Sequence, residues 1–155
     1  QYNRGTLFML DAVRFGGTGD VSGNLVTNVI DNSFSAGWKT DFNDQLSTTN
    51  TIGVIVTGTG IMKKARFYKF NRNDRFPSSV KIFGSISSTQ PVESDSSWTS
   101  IGDFTIPTVS GGNCKSYVEV STTNTVEYSH FKFEFTSLAA SSDTRMNMCE
   151  MLIYG

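Results

Sequence analysis

The sequence has few of the residues that build common catalytic sites. It contains one histidine, His130, and two cysteines among 155 residues. The nucleophile motif G-x-S-x-G, the metalloprotease motif H-E-x-x-H and the redox motif C-x-x-C are all absent. His130 begins a predicted strand with no such motif to serve it, which favours a solvated or core-edge histidine. Acidic residues are few and mostly lie in turns, and the carboxylate pair of a glycosidase is a spatial feature that a sequence does not display. We predict that the chain is not an enzyme.

The sequence also lacks an excess of either charge and any long apolar run. Lysine and arginine number 13 against 14 acidic residues, so no basic field exists to attract nucleic acid or an anionic membrane. Apolar runs such as residues 52–56 are far shorter than the roughly 20 residues that span a bilayer. No signal peptide precedes Gln1, and we expect a soluble fragment of a longer protein. Its length predicts a single domain over residues 1–155.

The two cysteines leave two interpretations open. Cys114 and Cys149 could form one disulfide, and two separately buried thiols fit the count equally well. We expect separate thiols. The cysteines by themselves therefore indicate no cellular compartment.

Short strands separated by turn residues account for most of the chain. The clearest is residues 131–135, where three phenylalanines alternate with Lys132 and Glu134, as in a strand with one face in a core. Further strands are predicted at residues 7–10, 52–56, 65–70, 80–86 and 146–154. Helical spacing occurs at residues 25–30 and amounts to a turn or two. This pattern predicts an all-β fold, an antiparallel β-sandwich or jelly roll.

The order of several short motifs resembles a known family. The segments are IDNSFSAGW at residues 30–38, ARFYKF at 65–70, FPSSVKIFGS at 76–85, SSW at 96–98, HFKFEFTS at 130–137 and CEMLIYG at 149–155. Their succession, which covers most of the chain, is similar to that of the F5/8 type C or discoidin-like family. The most specific parts are residues 77–98 and the closing residues 150–155. The resemblance implies a galactose-binding-like jelly roll, as in family 32-type carbohydrate-binding modules and phage tail proteins.

The resemblance also implies a structural calcium ion, Ca2+, beside an aspartate turn that a glutamate on the last strand closes. The matching residues are Asp31 and Glu150, with the backbone carbonyls of Asn28, Phe34 and Ala36 as further ligands. Calcium takes six to eight oxygen ligands, many from the main chain. Asn32 and Ala36 stand where the family usually has glycine and threonine. In the alternative interpretation Asp31 bonds its own backbone in a turn, and Glu150 faces water or a basic neighbour.

Carbohydrate binding by loops at one end of the sandwich is the function that the resemblance implies. Guanidinium and amide groups engage pairs of sugar hydroxyls, and aromatic rings stack on sugar C–H faces. The polar loop between the strands at 65–70 and 80–86, held by rigid strands at both ends, suits such contacts. The candidate ligand-binding residues are Tyr68, Arg72, Asn73, Arg75, Phe76, Arg145 and Asn147. In the alternative interpretation Arg72 and Arg75 pair with Asp74, and Phe76 fills the core.

These observations predict a non-catalytic, lectin-like module that binds cell-surface glycans, for example of galactose type. We expect it to be extracellular or on a virion surface, as part of a larger multidomain or oligomeric protein, and we expect no nucleic acid as a partner. Two alternatives remain: an adhesion domain for protein or lipid headgroups, as the coagulation-factor members of the family imply, and a structural domain of a virion or tail fibre. The candidate loops are polar or glycine-rich, which counts against insertion into a membrane.

Overall fold

The fold was described from a computed structural model of the chain. The structure describes residues 7, 9–16, 19–20, 26–31, 33–34, 38–41, 52–70, 76–112, 114–138 and 145–155, and for 19–20, 38–41, 136–138 and 145 it describes the backbone alone. The strands are β1 (Asp11–Phe15), β2 (Gly19–Asp20), β3 (Trp38–Asp41), β4 (Ile52–Gly60), β5 (Lys64–Tyr68), β6 (Pro77–Ser85), β7 (Thr99–Thr105), β8 (Tyr117–Ser121), β9 (Tyr128–Leu138), β10 (Arg145–Met148) and β11 (Glu150–Tyr154). Val26–Val29 forms a short 3-10 helix, where the sequence predicts a turn or two. In this described part of the chain, no helix is long and apolar enough to cross a membrane.

The strands form a β-sandwich of antiparallel sheets, which confirms the predicted fold class. One sheet has five strands in the order β1-β4-β9-β6-β7. Two three-stranded sheets, β11-β5-β8 and β10-β3-β2, complete the described strands, and β10 and β11 follow each other along the chain. Phe67 of β5 contacts Phe133 and Phe135 of β9, with ring centroids 6.0 Å apart in both pairs. The main core therefore lies between β5 and the five-stranded sheet.

The central strands of the five-stranded sheet follow the sequence pattern closely. Phe131, Phe133 and Phe135 are fully buried, as their alternation in β9 predicts. Residues 52–56 of β4 are buried on both faces, as their continuous apolar pattern predicts. Burying each phenylalanine side chain contributes roughly 1.5–3 kcal/mol, so this central pair is a major source of the free energy of folding.

Two predicted strands differ from the structure. The described residues among 7–10 lie outside the strands, because Leu7 and Leu10 each donate one backbone hydrogen bond, to Ile153 and Thr57, and no ladder follows until Asp11. The predicted strand at 146–154 is two strands, because β10 pairs with β3 whereas β11 pairs with β5. The break falls at Cys149, whose N–H bonds to Tyr68 of β5.

Candidate functional site

Strand ends of two sheets gather at one end of the sandwich. In the five-stranded sheet, β1, β7 and β9 finish at this end, and β4 and β6 begin there. β5 also finishes there, because Phe67 near its end packs on Phe135 near the end of β9, and β8 and β11 begin beside it. We call it the loop end, marked by the strand termini Phe15, Tyr68, Pro77 and Thr105. Loops held by rigid strand ends are the usual position of binding contacts in such sandwiches. The loop end is therefore the candidate functional site.

The strands that flank the predicted polar loop have their near ends at the loop end. The chain leaves β5 at Tyr68 and enters β6 at Pro77, whereas Arg72, Asn73 and Arg75 lie outside the described residues. Arg145 begins β10, which directly precedes β11, and has Asp41 as its register partner on β3. For Arg145 the structure describes the backbone alone.

Two predicted ligand-binding residues are buried, which corrects the candidate site. Phe76 is only 3% exposed and belongs to the main core. Its ring enters the core at the start of β6, which matches the alternative interpretation made from the sequence. Asn147 is also fully buried, between Met146 and Met148 in β10. Neither side chain lies where a sugar would reach it.

Tyr68 faces outward from β5 and lies within a row of aromatic rings. Its ring centroid is 4.9 Å from that of Phe34 and 5.1 Å from that of Tyr117. The alternation of β5 explains this direction, since the preceding residue, Phe67, points into the core. The row thus lies on the outer face of the three-stranded sheet, beginning at the loop end.

Arg66 lies beside these rings and makes several polar contacts. Its Nε donates to Glu119 Oε1 at 3.0 Å, and its Nη1 donates to the Tyr68 hydroxyl at 3.3 Å. The guanidinium carbon lies 4.2 Å from the centroid of the Tyr117 ring and 5.3 Å from that of Tyr154. Burial acts to lower the pKa of Arg66, but the hydrogen bonds with Tyr68 and Glu119 outweigh it and raise the pKa above its ordinary value. Arg66 is therefore a permanent cation held between two rings and a carboxylate.

Cys114 and Cys149 form a disulfide, with Cα atoms 5.5 Å apart, so the expectation of two separate thiols is wrong. The bridge joins the connection before β8 to the junction of β10 and β11, both beside the end of β5. The sequence separation of 35 residues gave no sign of this proximity, because the end of β5 brings the two segments together. The disulfide fastens the base of the loop end.

Lys69 is a second anchor of the loop end, and the sequence pattern missed it. The lysine is buried, and its Nζ donates to the carbonyl of Val109 at 2.7 Å. Its backbone N–H also donates to Ser116 at 2.8 Å. Lys69 lies within the predicted strand at 65–70, where a charged residue between aromatic residues is expected to face water, so no sequence signal marks this role. Lys69 holds the connection between β7 and β8 against the end of β5.

Of the predicted calcium ligands, Glu150 lies close to the turn that contains Asp31. Glu150 is buried and lines a small cavity together with Ile30, the residue before Asp31. The ring of Phe34 packs on Tyr68, the register partner of Glu150. The buried Glu150 carboxylate beside Ile30 suits calcium, which takes oxygen ligands.

Asp31 also supports the alternative interpretation. Its side chain is exposed, and its Oδ1 accepts the backbone N–H of Ser33 at 2.8 Å, as in an Asx turn. Ala36 lies outside the described residues, whereas Asn28 is described and half-buried. Across the described ranges, no cluster of three or more His, Cys, Asp or Glu side chains is placed to hold a metal. The calcium site thus stays a prediction.

His130 is buried on the outer face of β9, where its Nδ1 lies 3.2 Å from Thr57 Oγ1. Burial lowers the pKa of its imidazole, and a backbone hydrogen bond with Ser87 acts in the opposite direction. Its strand partners Thr57 and Ser85 supply hydroxyl groups. The histidine is a hydrogen-bonded packing residue, in agreement with the core-edge position that the sequence favours.

Comparison with known proteins reveals similarity in fold. No protein-family model matches the sequence, and no curated protein matches it. Among solved structures, the CBM32-1 and CBM32-2 domains of Clostridium perfringens ZmpB in complex with GalNAc match with a TM-score of 0.72 and 13% identity. The match covers 96% of this chain and 36% of that one, so this chain spans about a third of that structure's length.

Two single modules match over nearly their whole length. The family 32 carbohydrate-binding module of C. perfringens NanJ, in complex with galactose, has a TM-score of 0.69 and 13% identity, covering 97% of this chain and 98% of that chain. Chitosan-binding module 1 from a chitosanase/glucanase of Paenibacillus sp. IK-5 has a TM-score of 0.66 and 17% identity, covering 99% of this chain and 100% of that chain. The chain therefore shares the β-sandwich fold of these modules.

Proposed function

We propose that this protein is a non-catalytic carbohydrate-binding module that recognises cell-surface glycans, for example of galactose type, through its loop end. The observation that carries the proposal is the likeness of almost the entire fold to a module in complex with galactose. The strand ends that gather at the loop end support it, because β5 finishes and β6 begins there on either side of the predicted polar segment.

The chemistry of the loop segment supports a sugar ligand. Arg72, Asn73 and Arg75 supply guanidinium and amide donors that engage neighbouring hydroxyls in pairs. Arg145 begins β10, so a further guanidinium belongs to the candidate set. The disulfide and Lys69 hold the base of the loop end rigid, which lowers the entropy lost when a ligand binds.

The disulfide also supports a location outside the cytosol. Structural disulfides persist in oxidising compartments such as the extracellular space. We infer that the domain works as an extracellular or virion-surface module within a larger protein. The ZmpB match, in which one such module is part of a longer chain, is consistent with this arrangement.

The proposed module includes a structural calcium ion. Glu150 and Asp31 would hold it, together with the backbone carbonyls of Asn28, Phe34 and Ala36. The ion would supply positive charge beside the buried Glu150 carboxylate and fasten the turn around Ile30 to β11. Its role is structural, because this turn packs on the sheet through Phe34 and Tyr68.

A glycan array tests the proposed function. The wild-type domain and the double variant Arg72→Ala/Arg75→Ala are compared with Lys81→Ala, which removes an exposed cation on the outer face of β6. We expect binding by the wild type and by Lys81→Ala, and loss of binding in the double variant. Binding to no glycan, or equal binding by all three proteins, would overturn the proposal. Binding to phosphatidylserine vesicles alone would favour the lipid-adhesion alternative.

A further inference from the structure

We propose that the outer face of β5 and β8 carries a second sugar-binding surface, which extends the loop-end site along a glycan chain. This surface, which we call the aromatic platform, comprises Phe34, Tyr68 and Tyr117 with the ion pair of Arg66 and Glu119. The inference rests on the proposed function and specifies its ligand as a chain of several sugars rather than one terminal sugar.

The rings of the platform form a row that solvent reaches. Phe34 is 40% exposed and Tyr117 is 42% exposed, although both are large apolar groups. Tyr68 lies between them, with its centroid 4.9 Å from Phe34 and 5.1 Å from Tyr117. Neighbouring exposed rings leave apolar area in water, and such patches commonly mark binding surfaces. The rings are inclined to one another, by 72° for Phe34 and Tyr68 and by 42° for Tyr68 and Tyr117, and Arg66 lies over the Tyr117 ring. Sugar C–H faces would therefore contact the exposed parts of Phe34 and Tyr117.

The polar groups beside the rings match sugar hydroxyls. Arg66 carries donors, Glu119 carries acceptors, and the two are joined at 3.0 Å with side chains 25% and 30% exposed. Lys64 lies 3.7 Å from the second oxygen of Glu119. The carboxylate therefore offsets one of the two cations, and the cluster keeps a net positive charge. It presents both donors and acceptors to sugar hydroxyl groups.

The position of the platform links it to the loop end. Tyr68 is the last residue of β5 and Tyr117 is the first residue of β8, and the two are register partners. Both strand ends lie at the loop end, so the platform starts beside that end. A glycan whose terminal sugar lies at the loop end can therefore continue over the rings. The ligand that would contact both the loop end and the platform is an extended glycan chain.

A purely structural role for these residues makes a different prediction. Aromatic and charged pairs across neighbouring strands stabilise a sheet by roughly 0.2–1 kcal/mol each without binding anything. In that case, changing Tyr117 would lower stability and leave sugar affinity unchanged at every chain length. Affinity as a function of chain length separates the two roles.

Calorimetric titration with galactose and with β-1,4-galactan oligosaccharides of increasing length tests the platform. We expect affinity to rise with chain length in the wild type. In Tyr117→Ala we expect unchanged affinity for galactose and a roughly 3- to 10-fold loss for the longest oligosaccharide, the range expected for one aromatic contact. The matched control is Ile86→Ala, which removes an exposed apolar side chain just after β6, at the far end of the other sheet.

A second variant keeps the test decisive if Tyr117→Ala does not fold. Glu119→Gln retains the size of the side chain and removes the acceptor charge, and we expect it to lose the same gain with chain length. Affinity that is independent of chain length in the wild type, or equal in Glu119→Gln and wild type, would overturn the platform alone. Absence of binding to galactose and to all oligosaccharides would overturn the galactose-type function and the platform with it.

Discussion

Cys114 and Cys149, the two halves of the disulfide, donate their backbone N–H groups to consecutive carbonyls at the end of β5. Cys149 donates to Tyr68 at 2.8 Å, and Cys114 donates to Lys69 at 3.0 Å. The bridge therefore fastens three chain segments at a single point beneath the loop end. A bond in this position acts on overall stability and on the geometry of the loops together.

Removal of the disulfide should lower the free energy of unfolding substantially. For cysteines 35 residues apart, the chain-entropy model gives a loss of roughly 3–4 kcal/mol in Cys114→Ser/Cys149→Ser. Guanidinium denaturation of the oxidised wild type and of the variant measures it. Reducing agent should destabilise the wild type and leave the variant unchanged, and equal midpoints for the oxidised proteins would contradict the prediction.

His130 should make stability depend on pH in a defined direction. Burial lowers its pKa below the ordinary 6.5, so below pH 6.5 the unfolded chain binds more protons than the folded chain. The free energy of unfolding should be constant just above pH 6.5 and should fall as the pH drops from 6.5 towards the lowered value. Urea denaturation between pH 7.5 and 5.0 measures this change.

The sequence makes the control for this experiment simple. His130 is the only histidine in the chain, so no other imidazole titrates in the same window. His130→Gln retains a polar group that can bond Thr57, and its stability should vary less over the same pH range. A fall of equal size in both proteins would assign the pH dependence to other groups.

Gly53 should tolerate no side chain. It lies in β4, and a Cβ atom there would meet the carbonyl oxygen of Phe133 and the ring of Phe15. Because one of these neighbours is backbone of the central strand, relief requires movement of β9. We expect Gly53→Ala to lose roughly 1–3 kcal/mol in denaturant unfolding. Thr59→Ala, at an exposed position of the same strand, is the control and should change stability little.

Calcium should stabilise the domain if Glu150 holds an ion. At a calcium concentration one hundred times the dissociation constant, the gain is about 2.7 kcal/mol, which corresponds to several degrees in melting temperature. Melting curves with calcium and with chelator measure this gain in the wild type. Glu150→Gln should lose the response, whereas Glu119→Gln, at an exposed carboxylate on the same sheet, should retain it. An identical melting temperature with calcium and with chelator would argue against the ion.

Local pattern was sufficient for the class of fold and for its central strands. Alternation at residues 131–135 and the continuous apolar run at 52–56 both predict strands that the structure contains. Successive side chains of a strand point to opposite faces, so the residue types within a few positions predict which face is buried. The polar segment after Tyr68 could be predicted as a loop from the sequence, because it separates two stretches with strand patterns.

Those local patterns could not predict contacts between residues that are far apart in the sequence. The disulfide, the buried Lys69 and the burial of Asn147 each depend on segments that lie far apart in the sequence. Phe76 follows a polar run and precedes a proline, so its neighbours did not decide between the surface and the core. The row of Phe34, Tyr68 and Tyr117 comes from a turn and two strands, which meet through the sheet register.

The amino-acid sequence by itself determined a β-sandwich whose polar segments connect rigid strands, because strand periodicity and turn chemistry act over a few neighbouring residues. Tertiary structure alone decided which connections share an end, which cysteines bond and which aromatic side chains form a continuous outer surface. Those outcomes follow from register and packing, in which each residue's position is set by partners from distant parts of the chain.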